Sequence, residues 1–258
     1  MQSRSVYRRF ALALCLVTVL SWPLFAADKV DNTLTEPVPE EREIDVVWST
    51  SDGRKMEIYY SRKSKGVWSE PEQVTDDHYD NMYPVVDRDS FGRRWVFWSA
   101  YDNGRMELRY AISTEDGWER SEDLASELKK NLAPSVVIDS QDRVWVVWSA
   151  NDGGFDDIMF AYYQNGSWSE PVRLHAENDI PDVLPTVELD PEGNPVINWQ
   201  TLADGKYLTV TSRWTGSEWS EAELLGEEVV EDKVETEENV LELPSFMSNS
   251  GSVFIRAY

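Results

Sequence analysis

The chain has 258 residues, with 48 Asp and Glu against 24 Lys and Arg, and a net charge of −24. Such acidity repels a phosphate backbone, so nucleic acid is excluded as an expected partner. One Cys and two His cannot supply a Cys/His zinc site or a disulfide, and 41% hydrophobic with 12% aromatic residues excludes a wholly disordered chain.

The N-terminus reads as an address. Arg4, Arg8 and Arg9 precede an apolar run from Phe10 to Leu20, Trp22-Pro23 breaks the run, and Ala26-Ala27 offer small residues for cleavage. This order predicts a secretory signal peptide over residues 1–27. The apolar run is short of the ~20 residues that cross a bilayer, so no membrane span is expected after cleavage. A lipoprotein signal at Cys15 is disfavoured by the bulky Leu14 before it. Cys15 would leave with the peptide, and a thiol-free chain suits the periplasm or the exterior. Residues 28–43 read as a linker, in which Thr33-Leu34-Thr35 is a candidate closing strand.

From residue 44 onward the chain is a repeat. Trp48, Trp98, Trp148 and Trp199 are spaced 50, 50 and 51 residues apart, and so are Trp68, Trp118, Trp168 and Trp219. Pro84, Pro134 and Pro185 keep the same step. One repeat reads from Pro134 to Leu174. Ser135–Asp139 and Val144–Ser149 predict two strands, Ile158–Tyr163 a third and Ser167–Leu174 a fourth. Asn151–Gly154 and Asn165-Gly166 supply turns. Trp145, Val146, Val147 and Trp148 are consecutive apolar residues, as are Trp95, Val96, Phe97 and Trp98. Both faces of such strands must be covered.

Four antiparallel strands every ~50 residues predict an all-β fold, a β-propeller over 44–258 whose blades bury both Trp columns in their seams. Blades begin at Pro84, Pro134 and Pro185, and residues 44–74 supply strands two to four of an earlier one. Pro244 to Tyr258 aligns with strands one and two of a further blade. The expected count is therefore five blades, the last incomplete or shared between the N- and C-termini. An unpaired edge there would invite strand addition by a partner. Residues 226–242 interrupt the repeat with an acidic loop, a candidate docking arm for a basic protein.

The phrases Trp68-Ser69-Glu70-Pro71 and Trp168-Ser169-Glu170-Pro171 follow a turn, and Ser212, Gly216 and Trp219 keep the spacing Ser-x-Asp-x-Gly-x-x-Trp, with Trp214 in place of the Asp. Ser113–Trp118 is a shortened echo. Together these resemble the degenerate boxes of the sialidase-like BNR (Asp-box) repeat. A weaker similarity, through Glu57-Ile58-Tyr59-Tyr60 after an Asp-Gly turn, is to TolB-like propeller repeats. The BNR resemblance implies a propeller whose boxes are structural. Sialidases of that kind use three Arg, a Tyr–Glu pair and an Asp acid. Arg88, Arg94, Arg109, Arg143, Arg173 and Arg213 are scattered along the repeats, and no catalytic residue is assigned.

In a propeller, the loops between strands two and three share a face with the loops between blades. The candidate ligand face thus carries Asp52, Asp102, Asp152 and Asp204 with Asp76, Asp77, His78, Tyr79 and Asp80. The competing reading is that each recurrent Asp caps its own turn. Asp87 and Asp89 alternate ahead of Gly92, as calcium ligands do, but a hairpin turn is the stronger reading and no cofactor is expected. The functional expectation is an exported, non-catalytic binding or scaffold module for a protein or glycan partner. Its rival is a sialidase-like glycoside hydrolase or lectin on the same scaffold.

Overall fold

A computed structural model describes residues 42–258, apart from 120–121, 125–127, 177, 204, 227–243, 245–246 and 248–249. The expected signal peptide, the linker up to residue 41, Asp204 and nearly all of the acidic loop lie outside the described residues. No helix among the described residues is long and apolar enough to cross a membrane.

The described chain is built of antiparallel strands. The first sheet contains β1 (Ile44–Ser51), β2 (Met56–Ser64) and the short outer strands β3 (Val67–Trp68) and β4 (Glu72–Gln73). The second contains β5 (Asp80–Arg88), β6 (Arg94–Asp102), β7 (Arg105–Thr114), β8 (Gly117–Trp118) and β9 (Glu122–Asp123). The third contains β10 (Lys130–Ile138), β11 (Val144–Asn151), β12 (Asp157–Gln164), β13 (Ser167–Trp168) and β14 (Val172–Arg173). A single parallel bridge from Lys130 to Met106 ties it to the second. The fourth contains β15 (Asp182–Leu189), β16 (Pro195–Ala203), β17 (Lys206–Arg213) and β18 (Glu223–Gly226). Pro71 and Pro171 cannot donate to a ladder, and each falls in the break between its sheet's two short outer strands.

The C-terminal strand β19 (Val253–Ala257) pairs antiparallel with β1, from Ile44↔Ala257 to Trp48↔Val253. The first sheet is therefore shared between the two ends of the chain. The C-terminal segment supplies that sheet's missing first strand and does not open a sheet of its own.

The first strands pack side by side in the order β19, β5, β10, β15. β5, β10 and β15 each carry a bulge in the same place, where the register shifts between Met82 and Val85, Leu132 and Ser135, and Val183 and Thr186. The Pro column sits in these bulges, where a missing N–H costs no ladder bond. Between sheets lie apolar seams. Trp98 and Trp118 fill the seam of the first and second sheets, Trp148 and Trp168 that of the second and third, and Trp199 and Trp219 that of the third and fourth. Trp98 and Trp148 are fully buried, and their indole N–H groups donate to Asn81 at 2.7 Å and Asn131 at 2.9 Å. Trp199 donates likewise to Asp182 at 3.1 Å. Trp48 and Trp68 pack with Met247, Val253 and Ile255 on the remaining face of the first sheet.

The fourth sheet differs. Every residue of β11 is buried, but β16 alternates: Ile197, Trp199 and Thr201 are buried against the third sheet, and Asn198 and Gln200 are not. Thr186, Asn198, Thr211 and Glu223 lie in register across its other face. That polar face is what a terminal repeat carries. Among the described residues β15 and β19 do not pack as the other first strands pack on their neighbours.

Candidate ligand-binding site

The recurrent Asp residues serve unlike ends. Asp52 accepts the backbone N–H of Arg54 at 2.7 Å and of Lys55 at 2.9 Å, which caps its turn. Asp102 accepts from Asn103 Nδ2 at 2.9 Å and lies 3.8 Å from His78 Nε2. Asp152 is exposed in its turn. Asp80 accepts the Met56 N–H at 3.0 Å and so ties the second sheet to the first.

Asp89 accepts the N–H groups of Phe91 and Arg93, the Arg93 guanidinium at 2.7 Å and the Trp95 indole at 3.0 Å. Asp139 makes the same four contacts one repeat later, with Gln141, Arg143 and Trp145. Asp190 accepts from the N–H groups of Glu192 and Asn194. The sequence singles out Asp87 and Asp89 as an alternating pair ahead of Gly92. The structure instead aligns Asp89, Asp139 and Asp190 as one column of turn-fixing carboxylates. Asp87 is buried, accepts the Ile138 N–H at 2.9 Å and pairs with Arg256 at 2.9 Å, joining three sheets. Burial nonetheless holds its carboxyl above the usual carboxylate range.

The loop between the first and second sheets does gather its candidates. Asp76, Asp77, His78 and Tyr79 line a cavity of about 480 Å³ together with Val74, Thr75, Arg109, Trp118 and Glu119. Asp77 accepts the Tyr79 N–H and Asn81 Nδ2, both at 3.0 Å. Asn81 also reaches the buried Glu57 at 3.4 Å, and Thr75 donates its hydroxyl to the same carboxylate. Glu57 is neutralised by Lys55 at 2.7 Å. The wall of the cavity is thus fixed from behind by a closed polar network.

Arg109, Trp118 and Glu119 line the cavity without belonging to the acidic loops, although the repeat marks two of them. The position opposite the first Trp column holds Tyr59, Met159 and Val210 in the other sheets, but Arg109 in the second. The residue after the second Trp column is Ser69, Ser169 and Ser220 elsewhere, and each of these hydroxyls accepts the backbone N–H of a neighbouring strand. In the second sheet Glu119 stands there and lines the cavity. Arg109 is tied to Glu107 at 2.9 Å, and its guanidinium lies 4.7 Å from the centre of the Tyr79 ring. The His78 ring lies 4.1 Å from the same ring. Burial pushes the Tyr79 hydroxyl up. Across the ladder from Arg109, Asp123 has its carboxyl pushed up to about 6, first by desolvation and then by the charge of Glu107.

The arginines that a sialidase would need open are paired. Arg88 pairs with Glu43, Arg94 with Asp45 at 3.3 Å, Arg143 with Asp139 at 2.6 Å, Arg173 with Asp157 at 3.2 Å and Arg213 with Asp190. Arg88 also covers the Tyr258 ring at 4.1 Å. Arg88, Arg94 and Arg256 do gather, with Tyr60 and Tyr258, at the end of β5 away from the cavity. There each guanidinium faces a carboxylate of its own.

No family model matches the chain, and no curated protein matches its sequence. Solved structures do. A protein of unknown function from Dyadobacter fermentans aligns at a TM-score of 0.55 and 12% identity, over 71% of this chain and 66% of that one. A polysaccharide lyase, an ulvan lyase bound to a saccharide of glucuronic acid and sulfated rhamnose, aligns at 0.51 and 14% identity, over 69% of this chain and 54% of that one. The chain thus spans about two thirds of the first and little more than half of the second. At such identities the likeness is one of fold, and the fold is a propeller-like array of antiparallel sheets.

Proposed function

We propose that this protein is an exported, propeller-type binding module that takes a saccharide in the cavity between its first and second sheets. The observation that carries the reading is the coincidence of that cavity with the breaks in the repeat. Arg109 and Glu119 replace seam-filling and strand-capping residues only where the cavity opens. A volume of about 480 Å³ lies within the ~300–1,000 Å³ of small-molecule sites. An indole beside carboxylates is the mixture of flat apolar and hydrogen-bonding surface that a sugar ring presents in reverse. The similarity to a saccharide-bound lyase supports the same class of ligand.

Non-catalytic binding is favoured by the pairing of every arginine considered above. Hydrolysis is the second reading, and Asp123 favours it: a carboxyl raised to about 6 beside the carboxylate of Glu107 is the kind of split an acid–base pair uses. The sialidase-like BNR kinship remains part of this proposal, since the Trp-Ser phrases occupy the hairpin that such boxes occupy. We also propose that the four sheets are an open run, short of the expected five blades, because the outer face of the fourth sheet is polar. The acidic loop and that open end are then the places for a basic or strand-donating protein partner. A glycan array together with a panel of fluorogenic glycosides, sialosides included, tests the reading. Array binding without turnover is expected; turnover of any glycoside would overturn the non-catalytic claim.

A further inference from the structure

Resting on the saccharide reading of the cavity, we infer that the sugar it takes carries a free amine, and that acidic sugars are excluded. The cavity wall presents three carboxylates, Asp76, Asp77 and Glu119. The guanidinium among the described lining residues, Arg109, is already committed to Glu107 at 2.9 Å and to the face of Tyr79. An ammonium behind the wall, that of Lys55, is committed to the buried Glu57 at 2.7 Å. His78, exposed on the rim, faces Asp102 at 3.8 Å. Among the described residues, an anionic ligand would therefore meet negative charge in excess, with each nearby cation already paired. An ammonium group would meet acceptors already in position.

The acceptors are held in place. Asp77 is fixed by the Tyr79 N–H and by Asn81, and Asn81 in turn accepts from the fully buried indole of Trp98 at 2.7 Å. Such a carboxylate loses little freedom on binding, which is where preorganised sites gain affinity. Trp118 lines the same cavity, and its indole N–H has no acceptor among the described residues. Its ring adds a π surface that favours a nearby cation. The saccharide of the similar ulvan lyase carries glucuronic acid and sulfate. The lining charge of this cavity calls for the opposite sign.

The test is calorimetric titration of the full chain with tetramers of glucosamine, N-acetylglucosamine and glucuronic acid, at low and at moderate salt. Glucosamine tetramer is expected to bind about tenfold tighter than its N-acetylated form, on the scale of one charge-assisted hydrogen bond. The advantage should shrink with salt and vanish in the double variant Asp76→Asn, Glu119→Gln, whose two sites are exposed and safe for folding. Equal affinity for the amino and N-acetyl tetramers, or preference for glucuronate, with binding lost in Arg109→Met, would overturn the charge inference and leave the saccharide site standing. Binding of none of the three would overturn the saccharide reading and the inference with it.

Discussion

At the scale of single residues, the same chemistry recurs until the cavity interrupts it. Asp139 holds two backbone N–H groups, the Arg143 guanidinium and the buried Trp145 indole, and truncating it strands all of them. Asp139→Ala is expected to cost about 3 kcal/mol in a thermal melt. Glu119 marks the opposite case. Glu119→Ser would restore the hydroxyl that Ser69, Ser169 and Ser220 place on the neighbouring strand. It should raise stability by about 1 kcal/mol while weakening ligand binding, the usual exchange at a functional position. Asp123 gives a pH signature. Its folded carboxyl titrates near 6, above the 3.8 of a free Asp, so it favours the folded state at acid pH. That contribution is lost as the pH rises through 4 to 6. Asp123→Asn should therefore melt like the wild type at pH 4 and higher than it at pH 7. Asp76 and Asp77 on the cavity wall were legible at this scale because loop carboxylates stand out in sequence. Arg109 was not, because a charged residue in a strand signals a site only once its apolar counterparts in the other sheets are in register.

At the scale of elements, the strand pattern and both Trp columns were legible because two-sided burial writes itself as consecutive apolar residues. The partner of the last strand was not, since antiparallel pairing between β1 and β19 joins residues about 200 positions apart and leaves no local mark. That pairing is fastened by Asp87, which takes the Arg256 guanidinium at 2.9 Å. Arg256→Ala leaves a buried carboxylate without its cation and is expected to cost about 3 kcal/mol in urea unfolding. Truncation before Val253 would bare the edge of β1, and light scattering should then detect association of the shortened chain.

At the scale of the whole molecule, neighbouring sheets cover each other's apolar faces, and the other face of the fourth carries Thr, Asn and Glu in register, the feature behind the proposed open run. The alternation in Val196-Ile197-Asn198-Trp199-Gln200 records this ending in the sequence, beside the unbroken Trp145–Trp148 of the third sheet. The cavity proposed to take the ligand lies between the first and second sheets, where the repeat gives way at Arg109 and Glu119. The most direct test is a glycan array probed with the wild type and with the variant Arg109→Met, Glu119→Ser, which returns both positions to residues found in the other sheets. Loss of the wild-type binding pattern by a folded variant is the predicted result, and an unchanged pattern would contradict the placement of the site.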